Sequence, residues 1–192
     1  MKMLKEKIIK IEEYKHSKFI TIIDTVTSKE EVKSYLTNVK SIYPKATHYC
    51  YAFILPDIKG MSDDKEPAKT AGQPILTVLE KNDMINIIAV VIRYFGGIKL
   101  GPGGLIRAYS SGVKEGLKEA NLINVVWGYV TTISCEYSDK KEIERLLLPY
   151  SIKDRTYQDK CYYKIESVTN HLDLKSSKYY IIKQEKKLIS ID

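Results

Sequence analysis

Two stretches of the chain carry residue types from which a site can be made. Asp63-Asp64-Lys65-Glu66 sets three carboxylates within four residues, and Arg93, Lys99 and Arg107 punctuate a segment with five glycines between Phe95 and Leu105. Clustered carboxylates suit a hard divalent cation or acid and base work, but such a turn more often serves helix capping or loop structure, or partner contact. A glycine loop between an apolar strand and a helix bares backbone N–H groups, and the helix start adds partial positive charge, so anions are favoured there. The spacing is not GxxxxGK[ST], because Pro102 follows Gly101, and not GxGxxG, because Ile106 stands where the third glycine belongs. Tyr94, Phe95 and Tyr109 flank the cations, a mix suited to base stacking with phosphate contact, or to a core. Neither His16 nor His48 is tied by a motif to a nucleophile, so no catalytic residue is assigned. Cys50, Cys135 and Cys161 are far apart, as are His16, His48 and His171, which leaves no zinc or CxxC spacing. The cysteines read as free core thiols, and neither a metal nor a cofactor is expected.

These residues need elements to hold them. Ile8 to Tyr14 and Phe19 to Val26 predict an opening antiparallel strand pair. Ser28 with Glu31 matches a capping box, and Val32, Tyr35, Leu36, Val39, Ile42 and Tyr43 recur at helical spacing up to Pro44. Residues 46–55 predict a strand, 56–72 a polar loop, and a short helix starts at Pro74. A buried strand over 85–93 then enters the glycine loop, and a helix follows through Leu105, Ile106, Tyr109, Val113 and Leu117. Gly112 and Gly116 lie on one face of that helix and imply close backbone packing. Beyond a strand over 122–136, the pattern predicts a helix from Asp139 to Leu148 and strands at 153–157, 160–168 and 187–191. With a short helix at 172–182, this order resembles a ferredoxin-like βαββαβ module.

The chain has 192 residues, 44% hydrophobic and 29% charged, enough for one medium and one small domain. The boundary is expected near Gly128, giving domains 1–128 and 129–192. Net charge is +7, with 19 Lys/Arg against 14 Asp/Glu before Gly128 and 12 against 10 after it. That excess favours acidic partners, RNA included, or serves solubility alone. The apolar run Ile85 to Ile92 is interrupted by Asn86 and is far short of the roughly 20 residues that span a bilayer. The opening MKMLKEKIIKIEEYK breaks its apolar stretch with charges, so a cytoplasmic protein is expected.

VVIRYFGGIKLGPGGLIRAYS resembles the diagnostic block of the IMPACT/YigZ family, and DDKEPAKTAGQPIL is similar to its second block. THYCYAF (47–53) and SKFI (17–20) match as well. The resemblance implies an α+β chain: an N-terminal α/β domain like the second domain of a small-subunit ribosomal protein, and a small C-terminal domain like the last domain of elongation factor G. It also implies a translation-associated regulatory or accessory role, because eukaryotic members restrain a starvation-responsive translation-initiation kinase by competing for its ribosome-associated activator. The expected partners are RNA or the ribosome, a translation-regulatory protein and a phosphate-type anion, and not a membrane. The alternative is an enzyme or binding protein for a phosphorylated small molecule or nucleotide. Ligand or partner contact falls to Asp63, Asp64, Glu66, Thr70, Ala71, Gly72 and Gln73 in one block. In the other it falls to Arg93, Tyr94, Phe95, Gly96, Gly97, Lys99, Gly101, Gly103, Gly104, Arg107 and Tyr109. The sequence departs from the family's DDGEPSGTAG at Lys65 and Lys69, and has Pro102 where alanine is common. If the family glycines serve positive φ, lysine there costs about 1 kcal/mol or more, or the loop is rebuilt. The two lysines also suit a phosphate better than a metal.

Overall fold

Ile87, Ala89 and Val91 face one way and Ile88, Val90 and Ile92 the other, and all are buried, because helices cover both faces of this central strand. The computed structural model describes residues 1–170, 172, 174 and 176–191. The chain divides into Met1–Ile123 and Asn124–Asp192, where the sequence pattern placed the boundary at Gly128. The chain is α+β, and each unit is built on an antiparallel sheet.

The first unit runs β1 (Lys2–Leu4), β2 (Ile8–Tyr14), β3 (Ser17–Thr25), α1 (Lys29–Ile42), β4 (His48–Ile54), β5 (Lys59–Ser62), α2 (Gly72–Lys81), β6 (Ile87–Tyr94) and α3 (Gly101–Glu119). The sheet order is β2-β3-β6-β4-β5. Lys15 and His16 turn the β2–β3 hairpin with φ of 44° and 65°, the left-handed pair that a tight two-residue hairpin needs. Val32 and Val39 of α1 cover the face bearing Ile20, Ile22, Ile88, Val90 and Ile92. Ile42, expected to face inward, is 54% exposed because it ends the helix beyond the sheet contact. Ser28 Oγ accepts the Glu31 N–H at 3.1 Å, while the Glu31 carboxylate reaches back to the Thr27 N–H at 2.6 Å, one residue before the reciprocal contact of a capping box.

α2 and α3 cover the other face, which carries Phe19, Ile23, Cys50, Ala52, Ala89 and Val91. A methyl carbon on Gly112 would lie 2.2 Å from Thr21 Oγ1, and one on Gly116 2.8 Å from Ile23 Cδ1, so α3 rests its backbone on β3 at these positions. Two details differ from the sequence pattern. α2 starts at Gly72, not Pro74, because Asp63 serves its first N–H groups, and the polar loop contains β5, paired with β4.

The second unit contains β7 (Leu122–Cys135, entering from the first unit), a 3₁₀ turn at Tyr137–Asp139, α4 (Lys140–Leu146), β8 (Ser151–Tyr157), β9 (Cys161–Ser167) and β10 (Tyr180–Ser190). Its strands lie in the order β10-β7-β9-β8, all antiparallel, as a ferredoxin-like module requires. The expected helix over 172–182 is corrected. The described residues 172, 174 and 176–179 are not helical, Leu172 and Leu174 are buried, and β10 already begins at Tyr180, seven residues before the expected Lys187. Residues 173 and 175 of that expected helix, and His171, lie outside the described residues.

Candidate functional site

Residues alternate across a strand, so Arg93 continues the face of Ile87, Ala89 and Val91 and is carried under α2 and α3. There it is 4% exposed. Its Nη1 donates to Glu66 Oε1 at 2.6 Å and its Nη2 reaches Ser17 Oγ at 3.4 Å, while its guanidinium lies over the Phe19 and Phe95 rings. Tyr109, from α3, donates its hydroxyl to the same Glu66 oxygen at 2.7 Å. His48, the cross-strand partner of Arg93, sets Nε2 3.7 Å from that oxygen. Its Nδ1 lies 2.8 Å from the Asp64 carbonyl, and since a carbonyl only accepts, Nδ1 carries a proton. Glu66 is therefore the buried anchor of the acidic block, in line with the reading of this block as loop structure.

Asp63 and Asp64 are also committed to structure. Asp63 accepts backbone N–H bonds from Lys69 (2.9 Å), Ala71 (3.0 Å) and Gly72 (2.8 Å), closing the loop and capping α2. Asp64 accepts the Tyr49 N–H at 2.6 Å. Thr70 donates to the Pro67 carbonyl at 2.6 Å, and Gln73 turns along its own helix to Thr77. Lys65 and Lys69 hold φ of 71° and 64°. Both lysines thus occupy left-handed backbone that glycine would adopt without strain. Among the described residues no group of three His, Cys, Asp or Glu side chains could hold a metal.

The glycine block is arranged in the opposite way. Gly96 passes so close to the hairpin turn that a methyl carbon there would lie 2.0 Å from the His16 carbonyl carbon, and its N–H donates to Ser17 Oγ at 3.2 Å. Gly97 takes φ of 86° and Gly101 of 70°, which frees the chain to swing out and re-enter as α3. The sequence pattern puts Gly101, Gly103 and Gly104 in a loop, but they form the first turn of α3, with Pro102 seated there and no side-chain cap on Leu100. The N–H groups of that turn are open, in the geometry that favours an anion. Phe95, Lys99 and Arg107 are exposed beside it. Tyr94 ties its hydroxyl to the Pro44 carbonyl at 3.2 Å. Tyr109 has no exposed surface, so no base can stack on it, and the aromatic contact expected of three rings falls to Phe95.

The two blocks meet. Glu66 and Pro67 face Phe95, Lys99 and Pro102 across a cleft of about 320 Å³ with Arg93 in its lining. A second recess holds Lys15 beside Arg107, and a groove between α2 and α3 collects Lys69, Lys81 and Lys114 around Val78 and Ile106. The sequence reading gives Ser17, His48, Cys50 and Lys15 no part in the site, although Ser17, His48 and Cys50 lie inside the two short matching segments. The buried cluster raises two proton affinities. Burial, then Cys50 and Glu66, push the Tyr109 hydroxyl up. Burial, opposed by the Tyr109 hydrogen bond, and then the carboxylates Glu66, Asp64 and Asp63 push the Cys50 thiol up to about 12. Neither group is a ready nucleophile at neutral pH.

Residues 15–117 match the family described as the Impact N-terminal domain. The IMPACT family member YigZ of Escherichia coli is 40% identical over 142 residues, 71% of this chain and 70% of that protein. An IMPACT family member of Haemophilus influenzae is 35% identical over 154 residues, 78% of this chain and 75% of that protein. A crystal structure titled only as that of a hypothetical protein superposes with a TM-score of 0.64 at 34% identity, covering 86% of this chain and 84% of its own.

Proposed function

This chain belongs to the IMPACT family, and we propose that it acts as a translation-associated regulatory or accessory factor that binds RNA, as a free strand or on a ribosomal surface. The family supports the setting in translation. One observation carries the binding mode: Lys99, Arg107 and Phe95 stay exposed around the open first turn of α3, while the carboxylates of the neighbouring block are bound to N–H groups and to Arg93. Backbone phosphate meets the cations and the helix start, and one base stacks on Phe95. Lys15, Lys69, Lys81 and Lys114 extend the basic surface on the same unit.

A second reading is a phosphorylated small molecule or nucleotide in the Arg93 cleft. One observation favours it: Arg93 Nε is buried with no hydrogen-bond partner among the described residues, in a cleft that Lys99 also lines. Cosedimentation with ribosomes and filter binding to a single-stranded RNA separate the two, using the full chain and its Lys99→Ala/Arg107→Ala form. The first reading requires binding that the double substitution weakens. No sedimentation and no RNA binding at low salt, together with a thermal shift on adding phosphate or a nucleotide, overturns it in favour of the second.

A further inference from the structure

We propose that Cys135 and Cys161 form a dithiol oxidation site, in which an intramolecular disulfide locks the sheet of the second unit. The two are direct partners at the end of the β7–β9 ladder. Both are free thiols with no exposed surface, and both belong to the core beneath α4. Opposed residues of an antiparallel pair have Cα atoms about 4.5 or 5.5 Å apart and side chains on the same face. Either separation falls within the roughly 4.4–6.8 Å between Cα atoms that a disulfide spans, and the Cβ atoms, about 4.5–5.5 Å apart in opposed pairs, close to the roughly 3.5–4.5 Å of a bridge by a local adjustment at the strand ends. The thiols already interact: burial first, then the neighbouring Cys161, with Asp139 and Glu136 beyond, push Cys135 up to about 11. Cys135 is thus protonated at neutral pH, and the buried pair answers sustained rather than brief oxidation. Cys50, by contrast, sits in the first unit with its sulfur on the Asp63 carbonyl, and serves as an internal control.

The oxidant is a peroxide. One deprotonated sulfur attacks the peroxide oxygen, forming S–O as O–O breaks, and the departing hydroxide takes a proton to become water. The second sulfur then attacks the sulfenic sulfur, forming S–S as S–O breaks and releasing a second water. Two thiols lose two electrons and the peroxide gains them. Cys135 ends β7 and Cys161 begins β9, so fraying at the end of the ladder admits the oxidant without unfolding the sheet. The bond closes residues 136–160, with α4 and β8, into a loop and restricts the unfolded chain.

The test treats the full chain with hydrogen peroxide, then unfolds it, counts thiols and maps peptides. Of the three thiols one remains, the mass falls by two hydrogens, and a linked peptide joins Cys135 to Cys161. Cys50→Ser leaves the linkage intact, Cys135→Ser abolishes it, and the oxidised second unit melts at a higher temperature than the reduced one. Three surviving thiols, a bond between chains or through Cys50, or sulfinic acid at Cys135 in place of the linkage overturns the proposal. If Cys135→Ser does not fold, the peptide map of the unsubstituted chain decides alone.

Discussion

The two blocks that meet at the cleft handle their charges in opposite ways. In the acidic block Asp63 and Asp64 are bound to backbone N–H groups and Glu66 is bound to Arg93 and Tyr109. In the glycine block Lys99 and Arg107 remain in solvent, with no ion pair among the described residues. A carboxylate drawn out of water has to be met by donors, so it holds a loop in place. A hydrated cation has no such cost and stays available to an incoming anion. Arg93 belongs to the glycine block by sequence and to the acidic block by role, since its place in the β6 alternation, and not its charge, decides its surroundings.

The comparison breaks first at Arg93. Replacing it with alanine leaves Glu66 buried without its cation, and the first unit should lose about 3–5 kcal/mol in denaturant unfolding. A loss under about 1 kcal/mol would place Arg93 with the exposed cations. Asp63→Ala is next. It strips the acceptor from three N–H groups and should cost about 1–3 kcal/mol, with the loop at 63–72 opening faster in hydrogen exchange. Full protection of the Ala71 and Gly72 amides in that variant would show that Asp63 does not hold the turn.

Lys65 and Lys69 sharpen the contrast from the other side, since they are exposed cations inside the structural block. Left-handed backbone costs a non-glycine residue about 1–2 kcal/mol, and glycine gives back about 0.4–1 through the unfolded chain. Lys65→Gly or Lys69→Gly should therefore raise stability by about 0.5–1 kcal/mol. Destabilisation by either change would mean that the lysine side chain makes a contact worth more than the strain.

Most of the fold was legible because its signals are periodic. The β2–β3 pair, α1 between Ser28 and Pro44, the buried β6 and the close packing at Gly112 all follow from spacing and residue type. β5 was hidden because Lys59 to Ser62 is polar and lies at a sheet edge, where only one neighbour demands pairing. The helix expected over 172–182 completed a βαββαβ pattern, and the described residues 172, 174 and 176–179 form no helix before β10 begins at Tyr180. At the site, the residue types were legible but their direction was not. Glu66, Asp63 and Asp64 look alike in sequence, and only the path of the chain over the end of β6 turns Glu66 inward.

The smallest stability effect and the most specific binding effect belong to Lys99 and Arg107. Both are exposed, and Arg107 returns only a local bond to the Gly103 carbonyl at 3.3 Å, so replacing either with alanine should change stability by less than about 0.5 kcal/mol. Binding to single-stranded RNA should weaken, and the dependence of log affinity on log salt should flatten by about 0.7 for each phosphate contact removed. The flattening matters more than the loss. A side chain that acts by shaping the loop lowers affinity at every salt concentration and leaves the slope alone, whereas one that meets phosphate releases fewer counterions once it is gone. Phe95→Ala should do the reverse, lowering affinity by about 1–3 kcal/mol with the slope unchanged, because stacking releases no ions. If the arginine and lysine variants keep the parent slope, the exposed cations of the glycine block do not meet phosphate, and the division between holding and presenting charges fails at the block that defines it.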